Sequence, residues 1–258
     1  MRKLALYLLI FILALFASAK TFASDTIIFW YPGEAGSTEE AQPILNEFVS
    51  YLGKKDDTLK LTAKYFNTTE SGLDFIQKNK PSIGIVSFAA WEEHKKDFPE
   101  AEPILITKPL PDGNTTQEYF LVGANDKPIN NIIVYSTEPL TKNLIQEKLK
   151  LADHYTIIAK QTDQILQKLK AIGSGELDAL AILTPIEGAT LLKIKSDWSK
   201  KIKVLKKSEP VPTAGVILFT PDANLKTKLQ DELIKLDADP EAKDLLAELR
   251  LMGFAMPY

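Results

Sequence analysis

The residues best suited to chemistry in this sequence are hydroxyl-bearing and aromatic side chains that follow short hydrophobic runs. The candidates for contact with a ligand are Tyr31, Ser37, Thr38, Ser87, Phe88, Trp91, Ser136, Thr137 and Thr184. Hydroxyl groups beside free backbone N–H groups can hold a small polar or anionic group, and aromatic rings can form apolar walls around it. Apart from Ser87, the hydroxyl residues also occupy expected helix-cap positions, and the aromatic residues could pack in a core, so both roles stay open.

Three acidic residues, Glu34, Glu39 and Glu40, crowd the first of these segments. The dipole at the start of a helix favours negative charge, so we expect solvated side chains of a first helical turn. Carboxylates that face a cleft would instead receive a cation or an amine.

Familiar catalytic and metal-binding patterns do not occur in the sequence. It contains no cysteine, which excludes disulfides, thiolate metal sites, cysteine nucleophiles and a lipid-anchored cysteine. The two histidines, His94 and His154, do not have the spacing of metal ligands and are predicted to lie on the surface. No nucleophile elbow and no phosphate-binding glycine loop is present. We therefore predict no catalytic residue, no metal site and no cofactor.

The first 23 residues have the pattern of a cleavable export signal. Arg2 and Lys3 precede an uncharged apolar run over residues 4–16, which is shorter than a membrane-spanning helix requires. Small residues follow, so cleavage is expected after Ala23 or after Ala19. Cleavage would remove three of the 31 basic residues and none of the 34 acidic ones, a balance that disfavours nucleic acid as a partner. The sequence thus predicts an exported, periplasmic protein.

Strand-like and helix-like segments alternate along the rest of the chain. Short hydrophobic runs predict strands over residues 26–31, 59–65, 83–86, 103–107, 119–122, 131–135, 155–159, 177–183, 202–205 and 215–219. Helical periodicity predicts helices near residues 44–52, 69–78, 89–96, 139–149, 162–172, 185–194, 226–236 and 241–251. Alternating strands and helices build sheets covered on both faces, and the second half repeats the order of the first. The pattern therefore predicts two similar α/β lobes.

Several segments together carry a resemblance to a known family. They are residues 28–34, 83–91, 175–180, 210–212, 236–243 and 252–254. In this order and spacing they resemble the type 2 periplasmic solute-binding proteins, and within them the family that binds phosphate, phosphite and phosphonates for import by ABC transporters. One position departs from that family. Ser136 and Thr137 match its hydroxyl-rich second-lobe loop, but Glu138 follows, and an acid beside an anion site disfavours phosphate.

The resemblance implies a type 2 periplasmic-binding-protein fold of two lobes, each a mixed, mainly parallel sheet flanked by helices, joined by a two-strand hinge. The lobes would comprise residues 24–117 plus 212–258 and residues 118–211. It also implies a monomeric, non-enzymatic receptor that captures a small polar or anionic solute, with phosphate- or phosphonate-like ligands favoured, for the permease of an ABC importer. The alternatives are an orphan binding protein that reports its ligand to a membrane sensor and, less favoured, an exported hydrolase.

Overall fold

The computed structural model describes residues 25–34, 36–124, 132–152 and 155–257. The predicted signal segment, residues 1–23, and His154 lie outside these ranges. Within the described residues, no helix combines the length and the hydrophobicity that a membrane crossing needs.

Strands and helices alternate through most of the described chain. The strands are β1 Asp25–Trp30, β2 Leu61–Phe66, β3 Ile83–Val86, β4 Glu102–Pro109, β5 Thr116–Gln117, β6 Phe120–Ala124, β7 Ile132–Ser136, β8 Ile157–Gln161, β9 Leu180–Leu183, β10 Ile202–Lys207, β11 Val211–Pro212, β12 Gly215–Leu218 and β13 Leu251–Ala255. The α-helices are α1 Thr38–Lys55, α2 Thr69–Asn79, α3 Phe88–His94, α4 Lys142–Lys148, α5 Ile165–Ser174, α6 Pro185–Lys193, α7 Ala223–Lys235 and α8 Lys243–Glu248. Short 3-10 segments lie at Lys95–Asp97, Ser199–Lys201, Leu236–Ala238 and Pro240–Ala242.

Two sheets form the centres of two lobes. The first lobe contains a six-stranded sheet in the order β13-β4-β12-β3-β1-β2, and the second a five-stranded sheet in the order β10-β6-β9-β7-β8. The short strands β5 and β11 pair with each other, antiparallel, where the chain passes from one sheet to the other. The fold is thus the predicted two-lobed α/β architecture.

Strand direction in both sheets follows from these crossings. β1 pairs in parallel with β2 and β3, and β7 with β8 and β9, whereas the other described pairings in the two sheets are antiparallel. Both sheets are therefore mixed, as predicted, and parallel pairing joins three adjacent strands in each. Strands β6 and β12, each the first strand of its sheet after a crossing between the lobes, run antiparallel to both of their neighbours.

Strand β1 of the first lobe is apolar on both faces. In β1, Ile27, Ile28 and Trp30 are fully buried, as expected for a strand covered by helices on both sides. Helix α1 buries Leu45, Phe48, Val49 and Leu52, a spacing that places all four side chains on one helical face. These contacts hold the start of α1 and the end of β1 close together.

The prediction of a helix through residue 251 is wrong at its C-terminal end. Helix α8 ends at Glu248, Arg250 adopts a left-handed backbone conformation with φ 58°, and Leu251–Ala255 forms the edge strand β13 beside β4. The helical spacing of leucines runs up to residue 251, whereas the strand depends on pairing with a segment about 145 residues earlier. This turn brings Arg250 to the region between the lobes.

Candidate functional site

A cavity of about 370 Å³ lies between the two lobes. The first lobe supplies most of its lining, including Phe29, Tyr31 and Tyr65, and the second lobe supplies Glu138 and Ile186. In open α/β sheets, ligands bind beyond the carboxyl ends of the strands, and the segments that follow β1 and β3 line this cavity. Its size is in the range of small-molecule sites.

Four of the nine predicted ligand-contact residues line the cavity: Tyr31, Ser37, Ser87 and Phe88. The other five, Thr38, Trp91, Ser136, Thr137 and Thr184, are not among the lining residues. Thr38 donates its hydroxyl hydrogen bond to the carbonyl of Tyr65, and Trp91 packs against a buried cluster that includes Trp30. The structure therefore brings together four of the six first-lobe candidates and leaves the second-lobe hydroxyls outside the cavity.

Helix capping engages the hydroxyls of Ser37 and Thr184. Ser37 accepts a hydrogen bond from the backbone N–H of Glu40, and the Glu40 carboxylate accepts one from the N–H of Ser37 at 3.0 Å. At the start of α6, Thr184 and Glu187 form the same reciprocal box, with the Glu187 carboxylate 2.8 Å from the N–H of Thr184. In both helices a glutamate carboxylate therefore occupies the N-terminal position that suits an anion.

Glu138 is the acidic residue that the second lobe contributes to the cavity lining. Its Oε2 accepts a hydrogen bond of 2.5 Å from the hydroxyl of Tyr119, and its backbone carbonyl accepts one from Ser136 Oγ at 2.8 Å. Burial, opposed by the Tyr119 hydrogen bond and reinforced by the charges of Glu187 and Glu34, raises the pKa of Glu138 to about 7. Its carboxyl therefore changes charge near neutral pH.

Glu34 and Arg250, both in the first lobe, lie beside each other in the cavity lining. Glu34 Oε2 and Arg250 Nη1 are 3.9 Å apart, and the arginine side chain is 72% exposed. Burial raises the pKa of Glu34, while the Arg250 charge opposes the shift and that of Glu187 adds to it. Glu34 is 45% exposed, as expected of a solvated side chain, but it lines the cavity and does not cap α1, a role that Glu40 fills.

Two tyrosines form an aromatic wall whose hydroxyls are affected by these carboxylates. Burial, then the charge of Glu34, raises the pKa of Tyr65 to about 12, and the same causes raise the pKa of Tyr31 further. The backbone N–H of Tyr31 bonds to the carbonyl of Phe66, which fixes the chain at the exit of β1. No described residue makes a hydrogen bond with the Tyr31 hydroxyl. The phenol therefore offers an unused polar group to whatever fills the cavity.

The lobes touch each other at one side of the cavity. Gly33 in the first lobe has φ 90°, and a Cβ atom added to it would lie 2.0 Å from the backbone oxygen of Thr137 in the second. Phe88 and Ala89 of the first lobe belong to a buried cluster whose other members include Leu121 and Val134 of the second. The two lobes therefore pack together without an intervening gap at these points.

Several lining residues were not identified from the sequence: Tyr65, Thr107, Gln117, Thr213 and Arg250. The rule that selected Tyr31 would also have found Tyr65, because it lies near the carboxyl end of a predicted strand. Thr107 and Thr213 flank the crossing segments, where the Thr213 hydroxyl donates to the carbonyl of Thr107 at 2.6 Å. Arg250 had no usable signal, because the sequence places it in a helix.

Comparison with solved structures finds the same fold in proteins of low sequence identity. XAC2383 from Xanthomonas citri, in a structure bound to ATP, has 12% identity and a TM-score of 0.70, with 92% of each chain covered. PhnD1 from Prochlorococcus marinus, in complex with methylphosphonate, has 12% identity and a TM-score of 0.60, covering 91% of this chain and 93% of its own. A binding protein component of an ABC phosphonate transporter from Pseudomonas aeruginosa has 16% identity and a TM-score of 0.60, covering 91% and 82%.

Comparison of the sequence with family profiles identifies the protein family. None of the curated protein sequences compared matches this chain. The family profile described as ABC transporter, phosphonate, periplasmic substrate-binding protein matches residues 36–257, which is most of the chain. The protein therefore belongs to the family of periplasmic substrate-binding proteins of phosphonate ABC transporters.

Proposed function

We propose that this protein captures a small solute in the cavity between its lobes and delivers it to the permease of an ABC importer. The observation that supports this most directly is the cavity itself, which is lined from both lobes at the strand ends where such folds bind ligands. The family consists of transporter components and not of enzymes. Capture by a monomer and release to a permease is the role that fits the family.

In this proposal, the segments that cross between the lobes form the hinge. The lobes would comprise residues 24–117 plus 212–258 and residues 118–211, so that the antiparallel pair β5 and β11 joins them. A hinge of a few residues at element ends is a common means of domain closure around a ligand. Export to the periplasm would require the signal over residues 1–23, and mass spectrometry of the secreted protein would identify cleavage after Ala23 or Ala19.

The proposed ligand contacts are Tyr31, Ser37, Ser87 and Phe88, the sequence-predicted candidates that line the cavity. Tyr31 and Phe88 would form apolar walls, and the two serines would contribute hydroxyls at the rim of the first lobe. Thr38, Trp91, Ser136, Thr137 and Thr184 would act indirectly, by holding the loops and helix starts in place. The family makes phosphate- and phosphonate-like anions the first ligands to test.

Isothermal titration calorimetry tests the capture function. The mature protein would be titrated with phosphate, methylphosphonate, methanesulfonate, L-arginine, choline and putrescine, and Phe88→Ala would be titrated in parallel. We expect one class of solute to bind, with weaker binding to the variant. Absence of heat with every class, from a protein that unfolds cooperatively, would contradict the proposal. The genes beside this one separate an importer from a sensor, because a permease and an ATPase gene support the first and a histidine kinase gene the second.

A further inference from the structure

We infer that the cavity selects a solute with a cationic group, an amine or a quaternary ammonium on a small apolar body, which Glu138 and Glu34 bind from opposite lobes. This inference rests on the proposed function, since it concerns what the interlobe cavity captures. It runs against the anionic ligand that the family name suggests, and it comes from the charges that this particular chain places in the cavity.

The charged groups of the cavity are mostly acidic. Its lining contains Glu34, Glu40, Glu138 and Glu248, whereas Arg250 is the basic residue among the described lining residues. Glu187 lies near enough to add its charge to both Glu34 and Glu138. An anion placed among these carboxylates would meet repulsion, which grows as water is excluded on closure.

Positions that normally receive an anion are already occupied by the protein's own carboxylates. Residues at the starts of α1 and α6 line the cavity, and there Glu40 and Glu187 accept the N–H hydrogen bonds of Ser37 and Thr184. The hydroxyl of Ser136, in the loop where an anion-binding hydroxyl was expected, donates to the carbonyl of Glu138 instead. The N–H groups of Ser37 and Thr184 and the hydroxyl of Ser136 therefore donate within the protein and not to a ligand.

Unused acceptors, in contrast, face the cavity. Tyr119 satisfies Oε2 of Glu138, and no described residue makes a hydrogen bond with Oε1. Tyr31 lines the same cavity, and its hydroxyl has no hydrogen-bond partner among the described residues, so its oxygen can accept a hydrogen bond from an ammonium group. These are two independent polar groups that a cationic ligand would satisfy.

The walls of the cavity suit an organic cation. Phe29, Tyr31, Tyr65 and Phe88 line it, and aromatic faces attract cations as well as apolar groups. A quaternary ammonium or an alkylamine would place its charge between Glu138 and Glu34 and its carbon atoms against these rings. Arg250, largely exposed at the edge, pairs with Glu34 and would be the group displaced or repelled.

The pH dependence of affinity provides the decisive test. The groups that act on the pKa of Glu138 are Tyr119, Glu187 and Glu34, and the charge of Glu138 in turn contributes to the raised pKa of Tyr31. With a pKa near 7, Glu138 is ionised in about a tenth of the molecules at pH 6 and about nine tenths at pH 8. Choline keeps its charge over this range, so we expect its affinity, or that of another permanently cationic probe, to be about tenfold higher at pH 8.

Variants separate charge recognition from damage to the fold. We expect Glu138→Gln to weaken cation binding at least tenfold at pH 8 and to remove its pH dependence, whereas Glu70→Gln, an exposed residue on α2, should leave both unchanged. Arg250→Ala should strengthen cation binding, by up to about fivefold for an exposed charge. Circular dichroism and thermal unfolding of each variant would establish that it is folded.

The outcomes distinguish the inference from the function on which it rests. Binding of choline, putrescine or L-arginine that rises with pH and depends on Glu138 would support both. Binding of methanesulfonate or methylphosphonate that weakens from pH 6 to pH 8 and falls in Arg250→Ala would overturn the cationic ligand and leave solute capture intact. No binding of any probe by folded protein would count against solute capture itself.

Discussion

Replacing Gly33 by alanine tests whether the contact between the lobes is part of ligand capture. Gly33 has φ 90°, and its added Cβ would lie 2.0 Å from the Thr137 oxygen and 2.5 Å from the Thr137 carbonyl carbon. Both atoms belong to the backbone of the opposite lobe, so no side-chain rotation relieves the overlap. The two lobes must separate at this point to accept the methyl group.

The magnitude of the effect follows from two separate terms. An alanine in the left-handed region costs about 1–2 kcal/mol of folding free energy, whether the lobes are open or closed. To reach an ordinary contact of 3.4 Å, the Thr137 segment must also move by about 1.4 Å. Overpacking of this kind costs about 1–3 kcal/mol, and only in the closed state. In the proposed capture by lobe closure, ligand affinity should therefore fall about 5- to 150-fold.

Gly175→Ala is the matched control. Gly175 has φ 81°, nearly the same backbone strain, and no atom lies within 4 Å of the position that an added Cβ would take. Calorimetry should show that Gly33→Ala loses affinity and Gly175→Ala does not, while both lose similar thermal stability. Small-angle scattering with ligand should show a larger radius of gyration for Gly33→Ala. Equal affinities in the two variants would refute the reasoning, because the Thr137 contact would then have no role in capture.

Three further predictions concern stability. The folded pKa of Glu138 is raised to about 7, so its contribution to stability is complete below its unfolded pKa near 4.5 and is lost as the pH rises to 7. Urea unfolding should therefore show that Glu138→Gln gains up to about 3 kcal/mol of stability relative to wild type between pH 5 and pH 8. Tyr119→Phe removes the hydrogen bond that lowers the Glu138 pKa, so the midpoint of this pH dependence should move upward; an unchanged midpoint would show that the bond is unimportant. Phe48 lies in the first-lobe core, and Phe48→Ala should lower the free energy of unfolding by about 3–5 kcal/mol in chemical denaturation. Leu192 on α6 is 84% exposed, and Leu192→Ala should change that free energy by less than about 0.5 kcal/mol. Comparable losses in the two variants would contradict the assigned burial.

The elements of the fold were predictable where hydrophobic spacing alone determines them. The run that forms β1 and the face of α1 that buries Phe48 follow from patterns within a few residues, and the structure reproduces them. Strand β13 was not predictable in this way. Its five residues include Gly253 with φ 151°, follow directly after leucines at helical spacing, and become a strand only through pairing with β4. Arg250 was missed for the same reason.

The cavity shows why residue types alone did not determine its chemistry. Hydroxyl residues at strand ends predict an anion site only if their donors are free, and that depends on contacts a few residues away. Ser136 donates to the carbonyl of Glu138, and the Glu40 and Glu187 side chains turn back onto the helix starts of Ser37 and Thr184. Each of these bonds uses a donor that could otherwise bind a ligand, and the carboxylates of Glu40, Glu138 and Glu187 remain near the cleft. A solute that enters is therefore stabilised most when it supplies the positive charge itself, since the protein's Arg250 lies largely in solvent at the cavity edge.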